Sequence, residues 1–449
     1  MTDRLSTGTR AGYAMGSLAT GAFGTVPGLL LLPYLTDTLG VGAAVAGLLV
    51  LLPKAWDVLV NPFAGRISDR TVSRWGPRRP YVLFGGIGLA VAFAALFAAP
   101  TPPGAAAAGY VAVAFLVTAT AFAFFQVPYV AMPAEITDDY TERTRLMTWR
   151  VAVLAVAILV SGAVAPMIVN TTGGGVAGHR WMGLFVAAVI AVGAVATFVG
   201  TRRTRADRVT ETEPSLRAQL STARRNRPFM VLTTVFVIQT IGIATMLAGV
   251  KYMADHVLGR PGDGPTLLFA CFVGPALLVM PLWSRLGRRL GKRAALSVAS
   301  TLFALGALGL LVAWFAPPAV VYAVTAVIGV GYAGQQVFAM AMLPDCIADD
   351  ADRTGKRQAG VFTGLWTAGE TLGLALGPGV FALVLTLSGY VSSATGEAAA
   401  QPDAARLGVL IGFSVVPALL VGPVTLLLRR YGLDDTARAA RTGSTTRTE

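Results

Sequence analysis

Apolar stretches of about 20 residues alternate with short polar segments along almost the whole chain. A helix rising about 1.5 Å per residue needs about 20 apolar residues to cross a hydrocarbon layer of roughly 30 Å. The clearest stretches, 151–169, 181–200, 229–250 and 407–428, contain no charged residue. Extending the same pattern predicts twelve transmembrane helices, at 13–36, 42–66, 80–100, 105–130, 147–169, 180–200, 228–250, 264–284, 293–315, 319–344, 359–387 and 406–429.

Basic residues are distributed very unevenly among the polar segments. Thirty-one of the 36 lysines and arginines lie in the two tails and in the loops after even-numbered helices, and only four lie in the opposite loops. Cytoplasmic loops of membrane proteins accumulate lysine and arginine. The pattern therefore predicts a multi-pass protein of a bacterial-type cytoplasmic (inner) membrane, with both termini in the cytoplasm.

Composition supports this interpretation. Of 449 residues, 55% are hydrophobic and 13% are charged, whereas soluble domains carry about 25% charged residues. The net charge of +13 needs no nucleic-acid partner, because topology and anionic lipid head groups account for the arginines. The two cysteines lack the spacing of metal ligands, and we expect no bound cofactor.

The loops of the first half recur in the second half. The segment 62–70 after helix 2 resembles 281–289 after helix 8, and Pro-x-x-Ile-x-Asp-Asp occurs at 133–139 and again at 344–350. The offsets of 219 and 211 residues indicate a duplicated half in parallel orientation. Two parallel repeats are typical of the major facilitator fold, with two pseudo-symmetric six-helix bundles.

The predicted bundles occupy 1–200 and 228–430, joined by a cytoplasmic linker at 201–227 and followed by a disordered tail at 431–449. Charged residues of the repeated loops are candidates for a cytoplasmic gate: Arg66, Asp69, Arg78, Arg79, Asp138, Arg143, Arg285, Arg289 and Asp349.

Three ionisable residues fall deep within predicted helices, namely Asp57, Glu370 and Lys54. An ionised group at the bilayer centre costs about 2.5–3.5 kcal/mol, so such groups usually face a cavity, a partner or an ion. Asp57 is either a coupling site or the structural partner of Lys54 three positions earlier. Glu370 has no local counter-charge and favours proton or sodium binding, with Thr367 as a nearby oxygen ligand.

Amides and aromatic rings also occur at predicted mid-depth. A few polar groups on an apolar wall suit a neutral polar or amphipathic ligand, although each residue alone is more often part of a helix–helix contact. The candidate substrate-cavity residues are Gln126, Tyr129, Gln239, Gln335, Gln336 and Trp366.

Helix 2 and its loop carry a recognisable pair of segments. They read Lys54-Ala-Trp-Asp-Val-Leu-Val-Asn-Pro62 and Arg74-Trp-Gly-Pro-Arg-Arg-Pro-Tyr81. Both resemble the glycoside-pentoside-hexuronide:cation symporters, and the similarity extends over essentially the whole chain. The resemblance implies that Asp57 is a cation-site acid, that Lys54 is the basic residue beside it, and that Thr367 lies near a bound sodium.

The chain departs from this family pattern at several positions. Val60 and Asn61 stand where the family has an asparagine and a second aspartate, and Thr371 stands at the position of a lysine. Family acids that recognise sugar fall near Gly21 and Gln126. The departures make proton coupling at least as plausible as sodium coupling.

The leading hypothesis is a secondary transporter that moves a small solute by alternating access, with coupling to H⁺ or Na⁺. The substrate is predicted to be sugar-like or amphiphilic, and the protein is expected to act as a monomer in the lipid bilayer. Alternatives are a proton-driven exporter of a drug or secondary metabolite, and a non-transporting receptor or scaffold. An enzyme is not expected, because no nucleophile–base pair or nucleotide loop occurs.

Overall fold

The computed structural model describes residues 5–100, 104–137, 140–202, 221, 224–354, 359–393 and 399–433. Regular structure in these ranges is helical throughout. The first half contains α1 Thr7–Pro33, α2 Ala43–Arg70, α3 Arg79–Leu96, α4 Ala105–Ala131, the short α5 Pro133–Ile136, α6 Tyr140–Thr171 and α7 Gly175–Gly200. The second half contains α8 Arg227–Tyr252, α9 Gly264–Leu290, α10 Lys292–Gly309, α11 Pro318–Thr354, α12 Ala359–Leu387, and the three pieces α13 Asp403–Phe413, α14 Val415–Val421 and α15 Val424–Leu428.

Eleven helical stretches in the described part of the chain are long and apolar enough to cross a membrane. The remaining predicted span is the 28-residue helix α2, whose fully described part includes the apolar stretch Ala43–Pro53. The predicted twelve spans correspond in order to α1–α4, α6–α12 and the segmented last helix, so the prediction of an all-α polytopic membrane protein is confirmed.

Several helices continue beyond their predicted bounds. The helix α6 begins at Tyr140 rather than 147, and α11 continues to Thr354 rather than ending at 344. The prediction followed the apolar pattern, whereas helical hydrogen bonding continues into charged sequence outside a membrane. The last predicted helix is interrupted at Ser414 and again at Gly422.

The chain divides into two compact units. The first comprises residues 1–211, 250–269 and 382–406, and the second comprises 212–249, 270–381 and 407–449. The first unit thus contains the ends of α8 and α12 together with the N-terminal bundle. The predicted division into halves at 200 and 228 stays a prediction, since the linker lies largely outside the described residues, as does most of the tail beyond 433.

Close helix packing organises the first unit. The helix α1 packs on α6 and α7, and α3 packs on α4 and α7. Glycines permit the α1–α7 contact, because a β-carbon at Gly12 would lie 2.5 Å from the α-carbon of Gly200. Small residues allow membrane helices to approach in this way.

Aromatic residues fill the core of the second unit. Trp366 stacks on Phe236 with ring centroids 4.0 Å apart, and Phe362 meets Phe229 edge to face at 4.7 Å. The indole of Trp283 donates a hydrogen bond to the carbonyl of Val330 at 2.8 Å. These contacts connect α8 to α12 and α9 to α11 within the unit.

The helices α1 and α8 end in the same unusual structure. Each continues into a π-helical turn, Tyr34–Thr38 in one case and Met253–Val257 in the other. In each copy the amide after the turn donates to the carbonyl of the turn's first residue at 3.0 Å. Gly40 and Gly259 then follow with φ of 70° and 64°, a backbone conformation that glycine adopts readily. The copies are 219 residues apart, the offset that also relates the repeated loops at 62 and 281.

Candidate functional site

Asp57 lies in the middle of α2 and is buried, with 4% of its surface exposed. Asn61 follows one helical turn later and is half-buried. Trp56, on the adjacent face, donates its indole N–H to the Thr120 hydroxyl at 3.0 Å and thereby ties α2 to α4. The Lys54 side chain lies outside the described part of the structure, so its predicted pairing with Asp57 stays a prediction.

Gln126 and Tyr129 connect α4 to α1. The Thr20 hydroxyl donates to Gln126 Oε1 at 2.8 Å. The Tyr129 hydroxyl donates to the carbonyl of Tyr13 at 3.0 Å and accepts from Ser17 at 3.0 Å, and its ring is fully buried against Tyr13. Gln126 is half-buried and retains its amide N–H groups for other partners, whereas the Tyr129 hydroxyl is already used in helix packing.

Three buried polar side chains of the second unit have incomplete hydrogen bonding. Gln239 donates to the Ser300 hydroxyl at 2.9 Å, but its Oε1 has no hydrogen-bond partner among the described residues. The same holds for Gln335 Nε2 and Trp366 Nε1. These atoms comprise one acceptor and two donors in a largely apolar core, where a polar group without a partner is unfavourable.

Contacts of these residues and their neighbours place the helices that carry them next to one another. Trp366 stacks on Phe236, which precedes Gln239 by one turn of α8. Gln335 follows Gly334, where a β-carbon would lie 2.6 Å from that of Ala299. The hydroxyl that Gln239 contacts belongs to Ser300, the next residue after Ala299, so α8, α10, α11 and α12 converge here.

Glu370 belongs to a second polar group of the same unit. It is half-buried on α12 and close enough to Tyr332 to act electrostatically on that hydroxyl. Gln336 donates to the Tyr332 hydroxyl at 2.9 Å. Thr367 is exposed, and its hydroxyl donates to the carbonyl of Thr363 at 3.1 Å, which leaves the oxygen lone pairs available to a cation.

One of the predicted gate arginines, Arg79, joins the start of α3 to α7. Arg79 is buried, donates to the carbonyl of Phe198 at 2.7 Å, and lies 4.7 Å from the centroid of the Phe198 ring. Arg78 is half-buried beside it. Asp138 and the side chains of Arg66, Asp69 and Arg143 lie outside the described part of the structure.

In the second unit the remaining gate candidates have local roles. Arg285 and Arg289 are exposed on α9, and Asp349 pairs with Arg353 on α11 at 3.6 Å. Lys292 and Asp345 instead form an ion pair that connects different helices, at 2.5 Å between α10 and α11. The repeated loops therefore provide cross-helix pairing, although at neighbours of the predicted residues.

Sequence reasoning missed two polar clusters of the first unit. One contains Arg10 and Glu142, which are 2.7 Å apart between α1 and α6. The other surrounds Asp37, which appeared to be a loop residue because it lies just beyond the predicted end of helix 1. Its buried position follows from the π-helical turn, a feature without an apolar signature.

Comparison with known proteins now decides the family. The sequence model of the MFS/sugar transport protein family matches residues 12–435, which is nearly the full chain. This chain belongs to that family. The predicted membership of the major facilitator superfamily and the resemblance to glycoside:cation symporters are both confirmed.

Individual relatives agree with this assignment. The chain is 28% identical to an uncharacterized symporter, YnaJ, of Bacillus subtilis, over 96% of this chain and 93% of the relative. It is 26% identical to the glucuronide carrier protein homolog of Escherichia coli, over 97% and 94% respectively. A solved bacterial homolog of the human lysosomal transporter Spinster, described as inward-facing and unoccupied, matches with a TM-score of 0.66 at 14% identity, covering 95% of this chain and 98% of that one. That likeness concerns the fold alone.

The family and its relatives are transporters rather than enzymes. The chain is accordingly a multi-pass membrane protein and a secondary transporter of the major facilitator superfamily, acting on a small molecule in a lipid bilayer.

Proposed function

We propose that this chain moves a small sugar-like solute across a bacterial cytoplasmic membrane by alternating access, with coupling to H⁺ or Na⁺ at Asp57. The observation that carries the proposal is the burial of Asp57 in the middle of α2, where 4% of the residue is exposed. A carboxylate in this position binds a cation or a proton more readily than one in water, because burial disfavours its bare charge. Asn61 supplies a neutral oxygen one turn away.

The proposed substrate class rests on the buried amide and indole groups of the second unit. Gln239 Oε1 offers an acceptor, and Gln335 Nε2 and Trp366 Nε1 offer donors. A hydroxyl both donates and accepts, so a polyhydroxylated ligand matches this mixture better than an anion or a hydrocarbon does. The aromatic face of Trp366 adds an apolar surface. The glucuronide named for the Escherichia coli relative is also polyhydroxylated, although it carries a carboxylate in addition.

Glu370 is proposed as a second, auxiliary coupling group. Its neighbours Tyr332 and Gln336 are hydrogen bonded to each other at 2.9 Å, and Thr367 lies on the preceding turn of the same helix. Protonation or cation binding at Glu370 would alter its interaction with the Tyr332 hydroxyl. Tyr332 and its partner Gln336 lie close in sequence to Gln335, one of the proposed substrate residues.

The orientation follows from the uneven distribution of basic residues. Both termini are placed in the cytoplasm, with the arginine-rich loops on the same side. The protein is proposed to act as a monomer, with Arg79 restraining the start of α3.

Accumulation by the purified protein in proteoliposomes tests the coupling. An imposed potential of 100 mV provides about 2.3 kcal/mol per coupled charge, which corresponds to roughly 50-fold accumulation of a neutral solute. A panel of labelled glycosides and glucuronides is screened with proton and sodium gradients applied separately. We expect Asp57→Asn to abolish gradient-driven accumulation while substrate exchange at equal concentrations persists.

The exposed acid Asp263 supplies the matched control, because it pairs only with nearby Arg260 at 3.1 Å among the described contacts. Asp263→Asn should accumulate substrate like the unaltered protein. Uptake that ignores both gradients, or normal accumulation by Asp57→Asn, would refute coupling at Asp57. Absence of any transport by the folded protein would favour the receptor alternative, and transport only from inverted vesicles would favour the exporter.

A further inference from the structure

A cluster of charged and hydroxyl side chains lies within the first compact unit, at the end of α1 that is farther from the N-terminus. It consists of Asp37 at the end of α1, Lys251, Asp255 and His256 at the end of α8, and Tyr390 just after α12. We call these five residues the distal cluster. It connects helix ends that belong to both halves of the duplicated sequence.

Hydrogen bonds link three of the members, and an ion pair links the other two, Lys251 and Asp255. The Tyr390 hydroxyl donates to Asp37 Oδ1 at 2.8 Å, and His256 Nε2 contacts the same hydroxyl oxygen at 2.8 Å. While the hydroxyl donates to an ionised Asp37, its oxygen can accept a hydrogen bond from His256 Nε2. Burial and the neighbouring Asp37 carboxylate raise the pKa of Tyr390 above its usual value, so this hydroxyl remains a donor.

A single ammonium group, that of Lys251, acts electrostatically on both carboxylates. Lys251 forms an ion pair with Asp255, whose side chain is 1% exposed, and Asp37 is 4% exposed. Asp37 Oδ2 and Asp255 Oδ1 have no hydrogen-bond partner among the described residues. Two carboxylates and one lysine leave one excess negative charge in a buried position, which is costly unless a proton neutralises it.

Other charged groups near the cluster do not replace that proton. Arg406 is partly exposed and directs its Nε to the backbone carbonyl of His256 at 3.0 Å. His179, on α7, is buried against Tyr34, and its Nδ1 contacts the carbonyl of Gly175 at 2.7 Å. His179 and His256 are the two histidines of the whole chain. In the described structure neither imidazole forms a hydrogen bond to a carboxylate, so Asp37 and Asp255 remain the proton acceptors.

The duplicated π-helical turns place these groups opposite one another. Asp37 lies in the turn Tyr34–Thr38, and Asp255 and His256 lie in its copy Met253–Val257. The Thr36 hydroxyl adds a direct link between the turns, because it contacts the Tyr252 hydroxyl at 2.6 Å. Turns of this kind occur frequently at functional sites.

We propose that the Asp37–Asp255 pair is a proton-binding site distinct from Asp57, and that one bound proton stabilises the joined helix ends. When the ends separate, water reaches the carboxylates and the proton is released. Protonation therefore favours the joined arrangement at low pH, and deprotonation favours separation as pH rises. The physiological meaning of this step rests on the proposed transport function, but the conformational effect can be measured without transport.

Pulsed electron paramagnetic resonance on the full-length protein in nanodiscs tests the proposal. Spin labels are attached at Ala44→Cys and Val391→Cys in a Cys271→Ala, Cys346→Ala background. Both labelled positions are exposed and adjoin the hydrogen bond of 3.0 Å from Ser392 to the carbonyl of Val41. If one proton is released when the helix ends separate, the ratio of the short-distance population to the long-distance population should fall as pH rises. The fall should reach up to tenfold per pH unit between about pH 5 and pH 9.

Asp37→Asn is expected to remove most of this pH dependence, because the amide cannot bind or release the proton. Asp263→Asn, an exposed acid on the same membrane face, should retain the full dependence. If the spin-labelled protein with an unaltered distal cluster shows the same distance distribution at every pH, the proposal is wrong, whatever the variants show. Undiminished pH dependence in both Asp37→Asn and Asp255→Asn would also overturn it, whereas failure of substrate coupling in proteoliposomes would leave it intact.

Discussion

Glu142 lies between two guanidinium groups where α6 begins. Arg10 Nη2 is 2.7 Å from one carboxylate oxygen, and Arg145 Nη1 is 2.8 Å from the other. The hydrogen bond from Arg10, assisted by the charges of both arginines, holds the pKa of Glu142 below its usual value. A carboxylate with a lowered pKa stabilises the folded state above its unfolded pKa, and this contribution is lost as pH falls through the folded pKa.

Glu142→Gln is therefore expected to lower the melting temperature of the purified protein at pH 7. The difference from the unaltered protein should shrink below about pH 4, where the glutamate itself becomes protonated. Thermal unfolding in detergent over a pH series measures this difference. Asp263→Asn, which removes an exposed pair, should change the melting temperature little. A constant difference at all pH values would contradict the assigned role of the ion pair.

Single residues also show what the sequence could and could not reveal. Asp57 was recognisable because its neighbours are apolar and a resemblance covers the same segment. Asp37 was not, since its burial depends on a π-helical turn and on partners more than 200 residues away in sequence. The two partners of the Tyr129 hydroxyl were equally hidden, because a hydroxyl in helix packing and one facing a solute have the same sequence signature.

Helix α1 illustrates how close packing constrains an element. Gly12 faces the backbone of α7, whereas Gly24, farther along the same helix, has open space where a β-carbon would lie. The two glycines therefore form a matched pair within one helix.

Gly12→Ala is expected to destabilise the protein by about 1–3 kcal/mol, because the added methyl group forces α1 and α7 apart. Gly24→Ala should be neutral or stabilising by up to about 1 kcal/mol, since alanine is the better helix former. Unfolding of both variants in mixed micelles with increasing denaturing detergent provides the comparison. Equal effects at the two positions would show that helix propensity, rather than close approach, governs this element.

At the level of elements, the existence and the order of the helices could be predicted from the sequence. The residues at which the helices begin and end could not. The apolar pattern reports where lipid surrounds the chain, so it predicted twelve spans in the observed order. It carries no information about charged sequence that stays helical in water, such as the end of α11 near Thr354. The interruptions at Ser414 and Gly422 were also missed, because the surrounding segment is uniformly apolar.

At the level of the whole molecule, the repeat and the distribution of arginines predict one orientation in the membrane. Pro261 lies in an exposed turn after α8, and Arg430 is exposed after α15. Five predicted spans separate these two positions, and an odd number of crossings places them on opposite membrane faces.

Cysteine labelling in intact cells tests this orientation. In a background with Cys271→Ala and Cys346→Ala, Pro261→Cys should react with a membrane-impermeant maleimide from outside. Arg430→Cys should react only after the membrane is permeabilised. The reverse pattern would place the termini outside and would require a new explanation for the basic loops.

The paired π-helical turns have a consequence for the origin of the distal cluster. An ancestor of half this length, assembled as a symmetric homodimer, would have brought each turn against an identical copy of itself. Any acid there would have met the same acid across the axis. Fusion into one chain would remove that restriction, and His256 occupies the position that corresponds to Asp37. Two different side chains can occupy corresponding positions at a former symmetry axis only after the two copies of the sequence become free to diverge.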